Sequence, residues 1–84
     1  MITNFKVWQY SMDLVVEVYE LGQKLPKYEM YGTTVQTQRS VVSILSNIAE
    51  GFRRGGNNEF ARFLKISSGS CGELDTQLEI IERI

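Results

Sequence analysis

A chain of 84 residues has room for one small domain, and a domain of this size buries only about 60% of the surface its unfolded form exposes. Hydrophobic residues make up 43% of it, which sets it apart from disordered chains and calls for a packed core. Nine Lys and Arg against ten Asp and Glu leave a net charge of -1, excluding a polycation that coats nucleic acid indiscriminately, so any such binding has to come from a local patch.

The only proline is Pro26, and Gly22, Gly32, Gly51, Gly55 and Gly56 mark the remaining breaks, cutting the chain into three helical segments. The first runs from about Phe5 to Lys24 and ends before Leu25-Pro26. At 100° per residue, Lys6, Gln9, Asp13, Glu17, Glu20 and Lys24 share one narrow polar arc. Two apolar stripes fill the rest: Phe5, Trp8, Met12, Val15, Val16 and Tyr19 form one, and Val7, Tyr10, Leu14, Val18 and Leu21 the other. A helix at the edge of a small monomer needs one stripe, so the second asks for another partner, in the same chain or in a neighbouring copy.

After a loop from Pro26 to Gly32, the second helix is expected to start with Thr33 or Thr34 as N-cap and to end near Arg53 or Arg54. Val35, Val41, Val42, Ile44, Leu45, Ile48, Ala49 and Phe52 fall on one side, with Gln36, Arg39, Ser40, Ser43, Ser46, Asn47, Glu50 and Arg54 on the other. Small polar residues in place of Glu and Lys suit either close approach by another helix or a solvent face of indifferent propensity.

Asn57 or Asn58 is expected to cap the third helix, which continues to Ile84. Phe60, Phe63, Leu64, Ser67, Cys71, Leu74, Leu78 and Ile81 face one way. Gly69 and Gly72 inside this helix each cost roughly 1 kcal/mol relative to Ala, which implies close backbone packing or a kink. The class is all-α, an up-down antiparallel helical bundle forming a single domain over residues 1–84.

Antiparallel pairing about Gly55-Gly56 brings residues level when their numbers sum to about 111, which places Arg39 beside Glu73, Glu50 beside Arg62, and Ser43 opposite Gly69. Two interhelix ion pairs are therefore expected. No nucleophile accompanies them, so they read as structure and not as an acid and base array. Histidine, the commonest general base and metal ligand, is absent, and no catalytic residue, metal or cofactor is assigned. Cys71, the one cysteine, can form no intrachain disulfide, agrees with a reducing compartment, and is expected buried and inert. Tyr10, Tyr19, Tyr28 and Tyr31 are assigned to packing.

Apolar runs stay far short of the ~20 residues that span a bilayer, and Met1 is not followed by a secretory pattern. A soluble, cytoplasmic protein without a membrane partner is expected. Around the second turn, Arg53, Arg54, Arg62 and Lys65 against Glu59 give residues 53–65 a net charge of +3. With Asn57 and Asn58 they could hold phosphate oxygens; the plainer reading is that Arg53 and Arg54 complement the C-terminal end of a helix dipole.

Phe5-Lys6-Val7-Trp8-Gln9, Tyr31-Gly32, Gln38-Arg39-Ser40, the stretch from Ser43 through Ser46-Asn47-Ile48-Ala49-Glu50-Gly51, and Ser70 with Glu73-Leu74 resemble the bacterial four helix bundle proteins, also described as proteins of intervening sequences in large-subunit ribosomal RNA genes. The resemblance spans nearly all of the chain. It implies a left-handed antiparallel bundle assembling into a ring-like homo-oligomer, typically a pentamer. Relatives acting as accessory variability determinants of retroelements pair with a reverse transcriptase and bind nucleic acid, RNA or DNA. Arg39, Ser43, Asn47, Glu50, Ser70 and Glu73 carry over as a structural signature without catalytic roles. The family has a fourth helix, whereas this sequence stops at Ile84, so either the polypeptide is C-terminally incomplete or a partner covers the exposed groove. The expected function is a small non-enzymatic homo-oligomer binding nucleic acid or a nucleic-acid enzyme; the alternative is a purely structural assembly module.

Overall fold

A computed structural model describes residues 2–28 and 32–83. After a short 3-10 turn, Ile2–Asn4, come three helices: α1 Lys6–Lys24, α2 Thr33–Arg54 and α3 Asn57–Arg83. The packing of Tyr31 and the extension of α3 to Ile84 lie outside the described residues. All-α, up-down architecture follows from the neighbours at each end. Gly22 sits against Thr34 and Gln38, and Phe5 packs edge-on to Phe52 at 5.0 Å, so α1 and α2 are antiparallel. Gly51 lies against Phe60 and Phe63 while Ser40 bonds Gln77, so α2 and α3 are antiparallel as well.

The core is short. Val18, Val41, Ile44, Ile48 and Leu74 form one buried cluster, with Ile2, Leu14, Val15 and Leu78 against it. Much of the interface between α2 and α3 is polar: Ser43 and Ser70 share a hydrogen bond of 2.9 Å, Ser67 donates to the Ile44 carbonyl at 2.9 Å, and Ser43 is itself held from within α2 by Asn47, which donates to its hydroxyl at 3.2 Å and its carbonyl at 2.8 Å. Ser40 and Ser43 of α2 thus lie at a helix contact, while Ser46 is exposed. Small hydroxyl side chains let the backbones approach while their oxygens find partners across the seam.

Three expectations are corrected here. Gly69 and Gly72 pack against nothing among the described residues, since a Cβ on either would meet no atom of theirs within 4 Å. The close approach is instead at Gly51, where a Cβ would lie 2.8 Å from the Phe63 Cβ, and at Gly22, where it would lie 3.0 Å from the Thr34 methyl. Both were read as punctuation, yet both sit inside helices. Cys71 is exposed, not buried, because α1 contacts α2 and leaves the flank of α3 open.

Helix ends also differ from expectation. Gly32 is the N-cap of α2 and, among the described residues, no side chain caps it and the buried Thr34 hydroxyl has no hydrogen-bond partner. Neither Asn57 nor Asn58 makes a capping hydrogen bond among the described residues, and Gly56 accepts the Phe60 N–H at 3.2 Å. Gly55 and Gly56 have φ of 74° and 78°, a left-handed pair that only glycine adopts at little cost, and this closes the turn tightly.

Candidate nucleic-acid interface

The turn between α2 and α3 stands on an aromatic base in which Phe5, Phe52 and Phe60 pack with centroids 5.0 to 6.5 Å apart. This fixes the last turn of α2 and the first of α3 as one rigid end. Beside it, Phe63 is 9% exposed, and the guanidinium groups of Arg54 and Arg62 lie over its ring at 5.3 and 4.7 Å. Such stacking holds planar cations in place while leaving their outer faces wet.

All four basic residues assigned to this end, Arg53, Arg54, Arg62 and Lys65, are exposed there. Two carboxylates occupy three of them. Glu50 accepts from Arg53 at 2.7 and 2.6 Å and from Arg54 Nε at 3.4 Å. Glu59 accepts from Arg62 Nε at 3.2 Å and lies 3.8 Å from Arg54 Nη1. Lys65 has no ion pair among the described residues. The hydrogen bond from Arg53 holds the Glu50 carboxyl below the usual value, partial burial working against it and the charges of Arg53 and Arg54 adding to it. By the same bond the Arg53 guanidinium is pushed up.

Neither interhelix ion pair forms. Glu50 is taken by Arg53 and Arg54 on its own helix, three and four residues on, and Arg62 by Glu59, three residues back. A partner at that spacing is reached without bridging two helices, so it wins over one across the seam. Arg39 and Glu73 are both exposed and, among the described residues, pair neither with each other nor with anything else within 4 Å. Of the six signature residues, Ser43 and Ser70 therefore build the seam, Asn47 holds Ser43 from within α2, Glu50 anchors the arginines, and Arg39 and Glu73 face solvent.

A second feature is the exposed groove expected of a bundle that shows three helices and not four. An apolar groove of about 320 Å³ runs between α1 and α3, walled by Val7, Tyr10 and Leu14 on one side and Leu64 and Cys71 on the other, with Ile44 and Ile48 as floor. The stripe holding Val7, Tyr10 and Leu14 was the signal for it. On the opposite side of α1, Val16 and Tyr19 are also exposed, 49% and 43%. Among the described residues no helix is long and apolar enough to cross a membrane, and no group of three His, Cys, Asp or Glu could hold a metal ion.

Comparison with curated proteins finds none that matches the chain. A family model does, over residues 3–84, and with all but the first two residues covered the chain belongs to the 23S rRNA-intervening sequence protein family.

Proposed function

We propose that this protein is a small non-enzymatic homo-oligomer of the cytoplasm that binds nucleic acid, or an enzyme acting on nucleic acid, at the α2–α3 turn. Self-association is supported by one observation above the others: α1 leaves apolar side chains exposed on two different sides, Val7 and Tyr10 at the groove and Val16 and Tyr19 opposite. Two unlike apolar faces on one subunit suit a head-to-tail contact that closes into a ring, for which a pentamer is the proposed size. Around such a ring the end carrying Arg53, Arg54, Arg62 and Lys65 repeats with every copy, so weak contacts add as avidity.

A labelled RNA and a DNA of the same sequence, titrated against the assembled protein at several salt concentrations, test this reading. Replacing Arg53 and Arg54 by Ala is expected to weaken binding for all sequences alike and to flatten its salt dependence while leaving the oligomer intact. Unchanged binding in the double variant, or no salt-sensitive binding by the parent, refutes it. One observation favours the second reading, a purely structural assembly module: the arginines already satisfy Glu50 and Glu59, which lowers the charge on offer.

A further inference from the structure

The side of the α2–α3 seam away from the α1–α3 groove carries a charge pattern that goes unpaired among the described residues. Ser43 and Ser70 define the seam there by their hydrogen bond. Arg39 is one turn before Ser43 and Glu73 is three residues after Ser70, so both project on the same side of that bond and at the same level. Both are exposed and lack an ion pair among the described residues. One turn along from that pair, Gly69 lies level with Ser43, and a Cβ there would meet no atom within 4 Å among the described residues. A glycine inside an exposed helix is destabilising relative to alanine, a cost that close approach by a second helix at that position would offset. Ile66 and Ile80, 42% and 45% exposed, flank the same strip.

Resting on the self-association proposed above, we infer that this face is a two-fold contact between copies of the chain, closed by Arg39 of each copy on Glu73 of the other. A two-fold axis running along the seam lays α2 of one copy over α3 of the next without changing level. It therefore brings the Arg39 position to the facing Glu73 position and, by the same rotation, Glu73 to the facing Arg39. That reciprocity is what an isologous contact requires: a patch complementary to itself. It also identifies the occupant, since a nucleic acid would meet the Glu73 carboxylate, whereas a second copy presents both signs in the right order. The same rotation sets Gly69 against the facing Ser43, where the absent Cβ allows the helices to close. The contact borders Tyr19 of α1, which lines one pocket with Arg39 and Ser43, but Arg39 and Glu73 are not among the residues of the α1–α3 groove, so it can join two single chains or two rings.

Charge reversal tests it on the full chain by sedimentation, with circular dichroism confirming that the exposed substitutions leave the helices folded. Arg39→Glu and Glu73→Arg, each alone, set like charges against each other twice per contact. Each is expected to raise the dissociation constant roughly tenfold or more. At a concentration where the parent is assembled, the mass of either variant should halve, from dimer to monomer or from paired rings to single rings. Mixing the two single variants should restore the parent mass, because every facing pair is then opposite in sign, and so should the double reversal in one chain. Single variants that keep the parent's mass overturn this contact and leave association through α1 standing. Loss of mass that neither the mixture nor the double reversal repairs overturns it as well. A parent that is monomeric at micromolar concentration overturns both this contact and the self-association reading.

Discussion

The two helix contacts of this molecule are built in opposite ways. Between α2 and α3 the buried apolar side chains Ile44, Ile48 and Leu74 alternate with short ones, Ser40, Ser43, Gly51, Ser67 and Ser70, and the helices lie close with their hydroxyls bonded across the gap. Between α1 and its neighbours the side chains are larger and more apolar, yet in α1 only Ser11 and Val18 are buried. Hydrophobic content alone does not decide which interface is closed; the ability of two surfaces to approach counts as well, since a helix contact is stabilised by packing density as well as by area removed from water. The closed seam is the scaffold, and the open sides of α1 are where the molecule has surface left for others.

The largest difference should appear when one apolar side chain is removed from each region. Leu74 is 4% exposed in the core cluster, and Leu74→Ala is expected to cost about 2–5 kcal/mol. Tyr10 is 68% exposed, and Tyr10→Ala should change the stability of the dilute, unassociated chain by less than about 0.5 kcal/mol while weakening self-association. Urea unfolding of both variants beside the parent checks this. A cost for Tyr10→Ala as large as for Leu74→Ala would mean that α1 is packed inward more tightly than its exposure indicates.

Hydropathy period and punctuation made the helices legible: three elements, their order, and ends within a residue or two of Lys6–Lys24, Thr33–Arg54 and the start of Asn57–Arg83. Level relations came close too, since Ser43 expected opposite Gly69 meets Ser70. What the period does not carry is which neighbour covers each face. Cys71 falls on the apolar stripe of α3, but that part of the stripe looks into the open groove, so it is exposed. Glycines posed the same problem, because Gly51 looks like a helix end by composition and is a packing site by position. The ion pairs were misassigned for a reason visible in the sequence itself: Glu50 has Arg53 and Arg54 at helical spacing, and Glu59 has Arg62, so the local partners were there to be weighed first.

One substitution made at two glycines sharpens the contrast between closed and open surface. Gly51→Ala places a methyl 2.8 Å from the Phe63 Cβ and 3.4 Å from the Phe60 Cα, atoms that cannot swing aside without moving α3. Overpacking at about 1–3 kcal/mol should exceed the ~1 kcal/mol that alanine gains in helix propensity, leaving the variant less stable than the parent. Gly72→Ala meets nothing and should keep the whole propensity gain, about 0.5–1 kcal/mol. Thermal unfolding midpoints should move in opposite directions. If both variants are stabilised, the α2–α3 seam has slack at the turn end and Gly51 is not what holds it close.

The smallest effect concerns the end where the closed seam meets solvent. Glu50 is held below its ordinary pKa of 4.5, chiefly by the hydrogen bond from Arg53 and then by the charges of Arg53 and Arg54, with partial burial opposing them. A carboxyl whose folded pKa is depressed contributes stability that is present above its unfolded value and is lost as pH falls through the folded one. Glu50→Gln keeps the shape and removes the charge, so it should lower the unfolding temperature slightly at neutral pH, and the gap to the parent should close as the pH drops from about 5 through the lowered value. Salt should narrow the gap at neutral pH as well, because the pair is open to solvent. In the same pH window protonation of Glu50 releases Arg53 and Arg54, so the turn gains positive charge just as it loses its internal partner. Any salt-sensitive binding of nucleic acid at this end should then strengthen in the parent relative to its value at neutral pH, while Glu50→Gln should show the stronger binding already at pH 7. A gap in unfolding temperature that stays constant with pH would show that Glu50 acts there through packing and hydrogen bonding, not through its charge.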